Sequence, residues 1–123
     1  MLDIFLVTAR PETMPAFIQG LSSDKEVRLK KVNSGLEALA AVRTVAPHLV
    51  IIDSDLPDSS PLDLVQQLLI LNAMVNTAVI SPLSDSEFHE YSEGLGILKS
   101  LPTAPDADDA ASLLRQLRQV LGL

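Results

Sequence analysis

Three carboxylates fall within six residues in Asp53-Ser54-Asp55-Leu56-Pro57-Asp58, directly after the apolar run His48-Leu49-Val50-Ile51-Ile52. A short run rich in β-branched residues and bounded by turn signals reads as a buried strand of a parallel sheet. Parallel sheets present their ligand-binding chemistry at the carboxyl ends of strands, so Asp53 is expected to face solvent and ligands. Of the three, Asp53 is the one placed for chemistry, at the very end of the strand. Asp55 and Asp58 suit turn and cap roles equally well, because a short carboxylate accepts hydrogen bonds from nearby backbone N–H groups.

Other chemistry has little support. The chain has no Cys, which excludes thiol catalysis, thiolate metal sites and disulfides. His48 and His89 have no third ligand at a recognisable spacing, so neither supports a metal centre. There is no Gly-x-Gly-x-x-Gly and no Walker sequence to cradle a nucleotide phosphate. Nine Lys and Arg against sixteen Asp and Glu give a formal charge of −7, which disfavours direct contact with nucleic acid or an anionic membrane. The amino-terminal apolar stretch is too short to span a bilayer and lacks the flanks of a signal peptide, so a cytoplasmic location is expected.

The elements that must position these acids alternate along the chain. Its 123 residues, 47% of them hydrophobic, fit a single domain over residues 1–123. Ile4 to Val7 forms a first strand, and Pro11 suits the first turn of a helix carrying Met14, Phe17, Ile18 and Leu21. Val27 to Val32 alternates weakly, as an exposed edge strand would. Ser34 caps a helix that ends by Pro47, and a helix from about Leu62 to Met74 follows the Asp53 strand.

Thr77 to Ile80 is a fourth strand, and Ser84-Asp85-Ser86 opens a short helix with Phe88 and Tyr91 that Gly94 and Gly96 end. Ile97, Leu98 and Leu101 mark a fifth strand before Pro102. A last helix from Asp106 carries Ala110, Leu113, Leu114, Leu117, Val120 and Leu121 on one face. Five such βα units imply an α/β fold, a doubly wound five-stranded parallel sheet with five helices on both faces.

The order and spacing of these elements, and Pro47-His-Leu-Val-Ile-Ile-Asp53-Ser-Asp-Leu-Pro57 above all, resemble the receiver domain of two-component response regulators, the CheY-like family. The resemblance implies a flavodoxin-like strand order 2-1-3-4-5. It also places Asp53 at the position that accepts a phosphoryl group from a histidine kinase. Ser81 matches the switch position that hydrogen-bonds this group, or it caps its own turn before Pro82.

Three of the family's chemical positions are changed. Receivers carry two acids after the first strand that hold Mg²⁺ together with the phosphoacceptor; Thr8 and Ala9 stand there. Mg²⁺ dehydrates reluctantly and needs carboxylates around an octahedron. Each lost contact charge is worth roughly 4 kcal/mol at an effective dielectric of 20, before desolvation. The family's Lys before a Pro, usually with a cis bond, is Leu101 before Pro102, and Lys99 lies two residues earlier.

No cofactor is expected, and Mg²⁺ only if Asp53, Asp55 and another acid such as Glu12 hold it as a conventional phosphorylatable receiver would. Arg10 is expected to be a solvated loop residue, with the alternative that its fixed charge replaces the ion beside Asp53. The leading expectation is an atypical or pseudo-receiver that is not an enzyme, with phosphorylation weak or absent. It would dock a histidine kinase, an output domain or another signalling protein through the face built from the fourth helix, fifth strand and fifth helix, and a homodimer is allowed. From Pro82 to Asp109 that stretch holds seven acids against the single base Lys99, which would steer a basic partner toward it. A haloacid-dehalogenase-type phosphatase is a weaker alternative: Asp53-Ser-Asp55 suits it, but Pro57 and the short chain do not.

Overall fold

A computed structural model describes all 123 residues. Five parallel strands lie in the order β2-β1-β3-β4-β5, namely β1 (Leu2–Val7), β2 (Val27–Val32), β3 (Leu49–Asp53), β4 (Asn76–Ile80) and β5 (Lys99–Leu101). β3 is buried at every residue, which is why its sequence is a continuous apolar run rather than an alternation. β2 is an edge strand, and its charged side chains Arg28, Lys30 and Lys31 are exposed.

Helices α1 (Pro15–Ser22) and α5 (Ala107–Leu121) cover one face of the sheet, where Phe17, Leu21, Leu113 and Leu117 pack on Ile4, Leu6, Leu49 and Ile51. Helices α2 (Gly35–Thr44), α3 (Pro61–Leu71) and α4 (Asp85–Tyr91) cover the other, with Ala38, Val42, Leu64, Leu68 and Phe88 on Val7, Val50, Ile52 and Val79. This is the flavodoxin-like architecture expected from the sequence. The caps are local and chemical: Ser34, Ser60, Ser84 and Asp106 each accept the backbone N–H three residues on, and Gly122 ends α5 at φ 77°.

Several boundaries differ from expectation. Pro11 opens only a 3₁₀ turn, Pro11–Thr13, and α1 begins at Pro15, because a proline pushes the residue before it, Met14, out of the helical region. α3 stops at Leu71 rather than Met74, since Asn72 Oδ1 accepts the Met74 N–H at 3.0 Å and forms a turn that competes with the helix. β5 omits Ile97 and Leu98. On α5, Leu121 packs half-buried against the core as expected, but Val120 is exposed. The Leu101–Pro102 bond is trans, as every peptide bond is; a prolyl bond favours trans by about 0.5–1 kcal/mol unless its surroundings compel otherwise.

Gly20 sits inside α1 at a cost in helix propensity because α5 passes against it. A Cβ there would lie 2.9 Å from Ala110 Cβ and 3.3 Å from the Ala107 Cα. Gly20→Val is therefore expected to force the two helices apart and destabilise the fold by about 1–3 kcal/mol, despite removing a helical glycine. Urea unfolding measures this, and an unchanged midpoint would contradict the packing.

Candidate functional site

The carboxyl ends of β1, β3, β4 and β5 meet at one rim of the sheet. Parallel register places Val7 beside Ile52, Asp53 beside Ile80, and Ile80 beside Leu101. The pairing then runs on, with the Thr8 N–H donating to the Val32 carbonyl and the Ser81 N–H to the Leu101 carbonyl. Thr8, Asp53, Ser81 and Leu101 are thus brought to neighbouring strand ends.

Asp53 is not presented to solvent as expected: its side chain is fully buried. The reason is Arg10. Its Nε donates to Asp53 Oδ2 at 2.8 Å and its Nη2 to Oδ1 at 2.9 Å, a bidentate fork on both carboxylate oxygens. Thr8 Oγ1 donates to Oδ2 at 2.8 Å, so that oxygen accepts two hydrogen bonds. Arg10 is then not the solvated loop residue expected. Its side chain is 25% exposed, and Asp53, followed by the charges of Asp55 and Glu12, raises its pKa above the ordinary guanidinium value.

The same guanidinium reaches further. Nη2 also donates to the Thr103 carbonyl at 3.0 Å, and Nη1 to Thr13 Oγ1 at 3.3 Å. Arg10 therefore ties the loop after β1, the end of β3 and the loop after β5 together. The Arg10 N–H donates to Thr8 Oγ1 at 3.1 Å, which holds the loop in the shape that aims the fork at Asp53.

The other candidate residues lie apart from this network. Ala9 is exposed and carries no donor or acceptor on its side chain. Asp55 is exposed and makes no hydrogen bond or ion pair to Asp53. Ser81 is buried, and its Oγ accepts the Leu83 N–H at 3.2 Å, bracing the turn through Pro82. Leu101 is buried in the α1/α5 core, so the position of the family's Lys is filled by an apolar side chain. Lys99 is half-buried on β5, in a groove of about 250 Å³ with Asp85, Phe88, His89, Ser100 and Gln116.

The donor set around Asp53 does not suit Mg²⁺. One carboxylate, one hydroxyl and a guanidinium stand there, both carboxylate oxygens are already engaged, and no three His, Asp or Glu side chains cluster as cation ligands.

Asp58 is a cap residue, though not for the helix that follows it in sequence. Its Oδ1 accepts the Gly35 N–H at 2.8 Å and its Oδ2 the Leu36 N–H at 3.0 Å, closing the start of α2 from the loop after β3. A Cβ on Gly35 would lie 2.2 Å from Ser59 Oγ and 3.0 Å from Ser59 Cβ, so a side chain there would push Ser59 aside.

The two N–H bonds hold the Asp58 carboxyl below the usual carboxylate range. A depressed carboxyl stabilises the fold above its unfolded pKa, near 4, and loses that contribution as pH falls through its folded value. Asp58→Ala is therefore expected to lower the melting temperature at neutral pH and to converge with the unaltered chain in acid. Equal melting temperatures at pH 7 would contradict this cap.

No protein-family model matches the chain, and no curated protein matches it. Solved structures do. The amino-terminal domain of an uncharacterised protein from Wolinella succinogenes is 19% identical with a TM-score of 0.81, covering 98% of this chain and 97% of that one. The chemotaxis response regulator CheY4 of Vibrio cholerae is 14% identical with a TM-score of 0.82, covering 95% and 98%. The signal receiver domain of the response regulator NarL from Mycobacterium tuberculosis is 13% identical with a TM-score of 0.80, covering 95% and 96%. No helix is long and apolar enough to cross a membrane. Strand order, helix layers and these likenesses together give the chain the fold of response-regulator receiver domains.

Proposed function

We propose that this chain is a receiver-type module of two-component signalling that acts by docking a protein partner, with Asp53 held closed rather than phosphorylated. One observation carries the reading: Arg10 grips both oxygens of a fully buried Asp53 where a receiver would need an open carboxylate and a cation. The guanidinium supplies positive charge without a vacant coordination position, so it neutralises the carboxylate but activates no phosphoryl donor. Both Asp53 oxygens are engaged, Oδ2 by two donors and Oδ1 by one, and the enclosed side chain is closed to an approaching phosphoryl donor.

The docking surface on this reading is the face of α4, β5 and α5. Its groove beside Lys99 offers Asp85, His89 and Gln116 around the edge of Phe88, and Glu93 adds exposed negative charge nearby. A histidine kinase, an output domain or another signalling protein with a basic contact surface fits it.

Titrating the protein with Mg²⁺ and beryllium fluoride, a mimic of the phosphoryl group, tests the reading through amide NMR shifts. No movement is expected at Ser81, Lys99 or Asp53. Saturable shifts at those residues that require both components would replace this reading with that of a conventional phosphorylatable receiver.

A further inference from the structure

We infer that this chain forms a two-fold dimer in which the groove between α2 and α3 of one copy receives the outer face of α4 of the other. Ten large hydrophobic side chains are exposed, and seven of them, Leu36, Val45, Ile70, Leu71, Met74, Leu83 and Tyr91, belong to the α2, α3 and α4 layer or the turns attached to it. Ile70 and Met74 are 85% and 86% exposed, far beyond what edge packing leaves. Scattered apolar residues are ordinary on a surface; this many on one layer mark a contact.

The layer carries two patches of opposite character. Leu39, Arg43, Gln67, Ile70 and Leu71 line a mainly apolar groove of about 190 Å³ between α2 and α3, with Arg43 as its single charge. Arg43 is exposed and has no ion-pair partner within its own chain. Leu83, Glu87, Glu90 and Tyr91 line the outer face of α4, where Glu90 is likewise exposed and unpaired. One patch offers apolar side chains around a cation and the other apolar side chains around an anion. Each is the complement of the other.

Because α2, α3 and α4 pack on the same face of the sheet, both patches point the same way. A two-fold axis parallel to that layer and passing between the two patches turns the layers face to face and sets each patch on its complement in the partner, so the contact occurs twice and closes. Were the patches on opposite faces, the same complementarity would build an open chain. Tyr91 on the acidic patch is the side chain best suited to enter the apolar groove, as an amphipathic aromatic with few rotamers to fix. The groove beside Lys99 lies on the other flank of α4, so the dimer leaves the proposed docking site to a separate partner.

Sedimentation over a concentration series tests the dimer, with charge reversal as the specific probe. The unaltered chain is expected to pass from monomer to dimer. Arg43→Glu and Glu90→Arg, both at exposed positions that leave the core untouched, should each remain monomeric at concentrations where the unaltered chain is dimeric. An equimolar mixture of the two variants should dimerise again, since each copy then meets an opposite charge at both contacts, and so should the double variant carrying both changes. A chain that stays monomeric throughout the series would overturn the inference. So would a dimer indifferent to both substitutions, or variants whose mixture fails to associate.

Discussion

Replacing Arg10 by Ala is expected to destabilise the protein by about 3–5 kcal/mol, the scale on which removing one partner of a buried ion pair leaves the other charge stranded. Thr8 alone would remain as a donor to Asp53, and water entering through the opening that Arg10 had covered would replace the two lost guanidinium bonds only in part. With a urea dependence of about 1–3 kcal/mol per molar for a small domain, the midpoint should fall by more than 1 M. Asp53→Asn should cost less, because Arg10 is partly exposed and can turn to water and to the Thr103 carbonyl. An apolar pair, Arg10→Met with Asp53→Leu, should recover much of the loss, since the desolvation of both charges is then avoided. Equal damage from the two single replacements would mean that Arg10 supports the loop and not the carboxylate.

The second large effect is a gain. Thr8→Asp, Ala9→Asp and Arg10→Ala in one chain return the acid pair to the end of β1 and remove the fork that encloses Asp53. Three carboxylates then share one strand-end rim, so the metal-free variant should be markedly less stable than the unaltered protein. Mg²⁺ should repair it: a cation at a hundred times its dissociation constant adds about 2.7 kcal/mol through mass action, or roughly 10 °C in melting temperature for a domain of this size. The unaltered protein should show no such Mg²⁺ dependence. A triple variant whose melting temperature ignores Mg²⁺ would mean that the rim has lost the geometry of a cation site as well as its ligands.

Much of this was readable from residue types. The run ending at Asp53 announced a central strand because burial on both faces admits only apolar side chains, and the charged alternation of Val27–Val32 announced the edge. Helix ends followed wherever Ser or Asp stood three residues before an acid or an amide donor, as at Ser84 and Asp106. What local pattern does not carry is reach. Arg10 finds Asp53 across 43 residues of chain, and Asp58 finds Gly35 across 23, through side-chain geometry that exists only once the sheet has assembled.

Only Thr8 could be aimed from the strand pattern: it follows Val7, whose partner is Ile52, and so stands beside Asp53. Arg10 comes from a bend after β1, held by its own N–H bond to Thr8 Oγ1, and no strand period points it at the carboxylate. The exposure of Asp53 failed as an expectation for the same reason, because the side chain that covers it comes from a loop. The ends of α1 and α3 were missed on smaller grounds, a second proline at position 15 and the turn-forming amide of Asn72.

The closed form of Asp53 is tested most directly by whether its carboxylate can act as a nucleophile. Incubating the purified protein with Mg²⁺ and a small acyl phosphate, then measuring intact mass and locating any adduct by peptide mapping, asks this with no partner protein required. With Arg10 and Thr8 occupying both oxygens, Asp53 is predicted to gain no phosphoryl group. A Mg²⁺-dependent adduct on Asp53 that disappears in Asp53→Asn would contradict it.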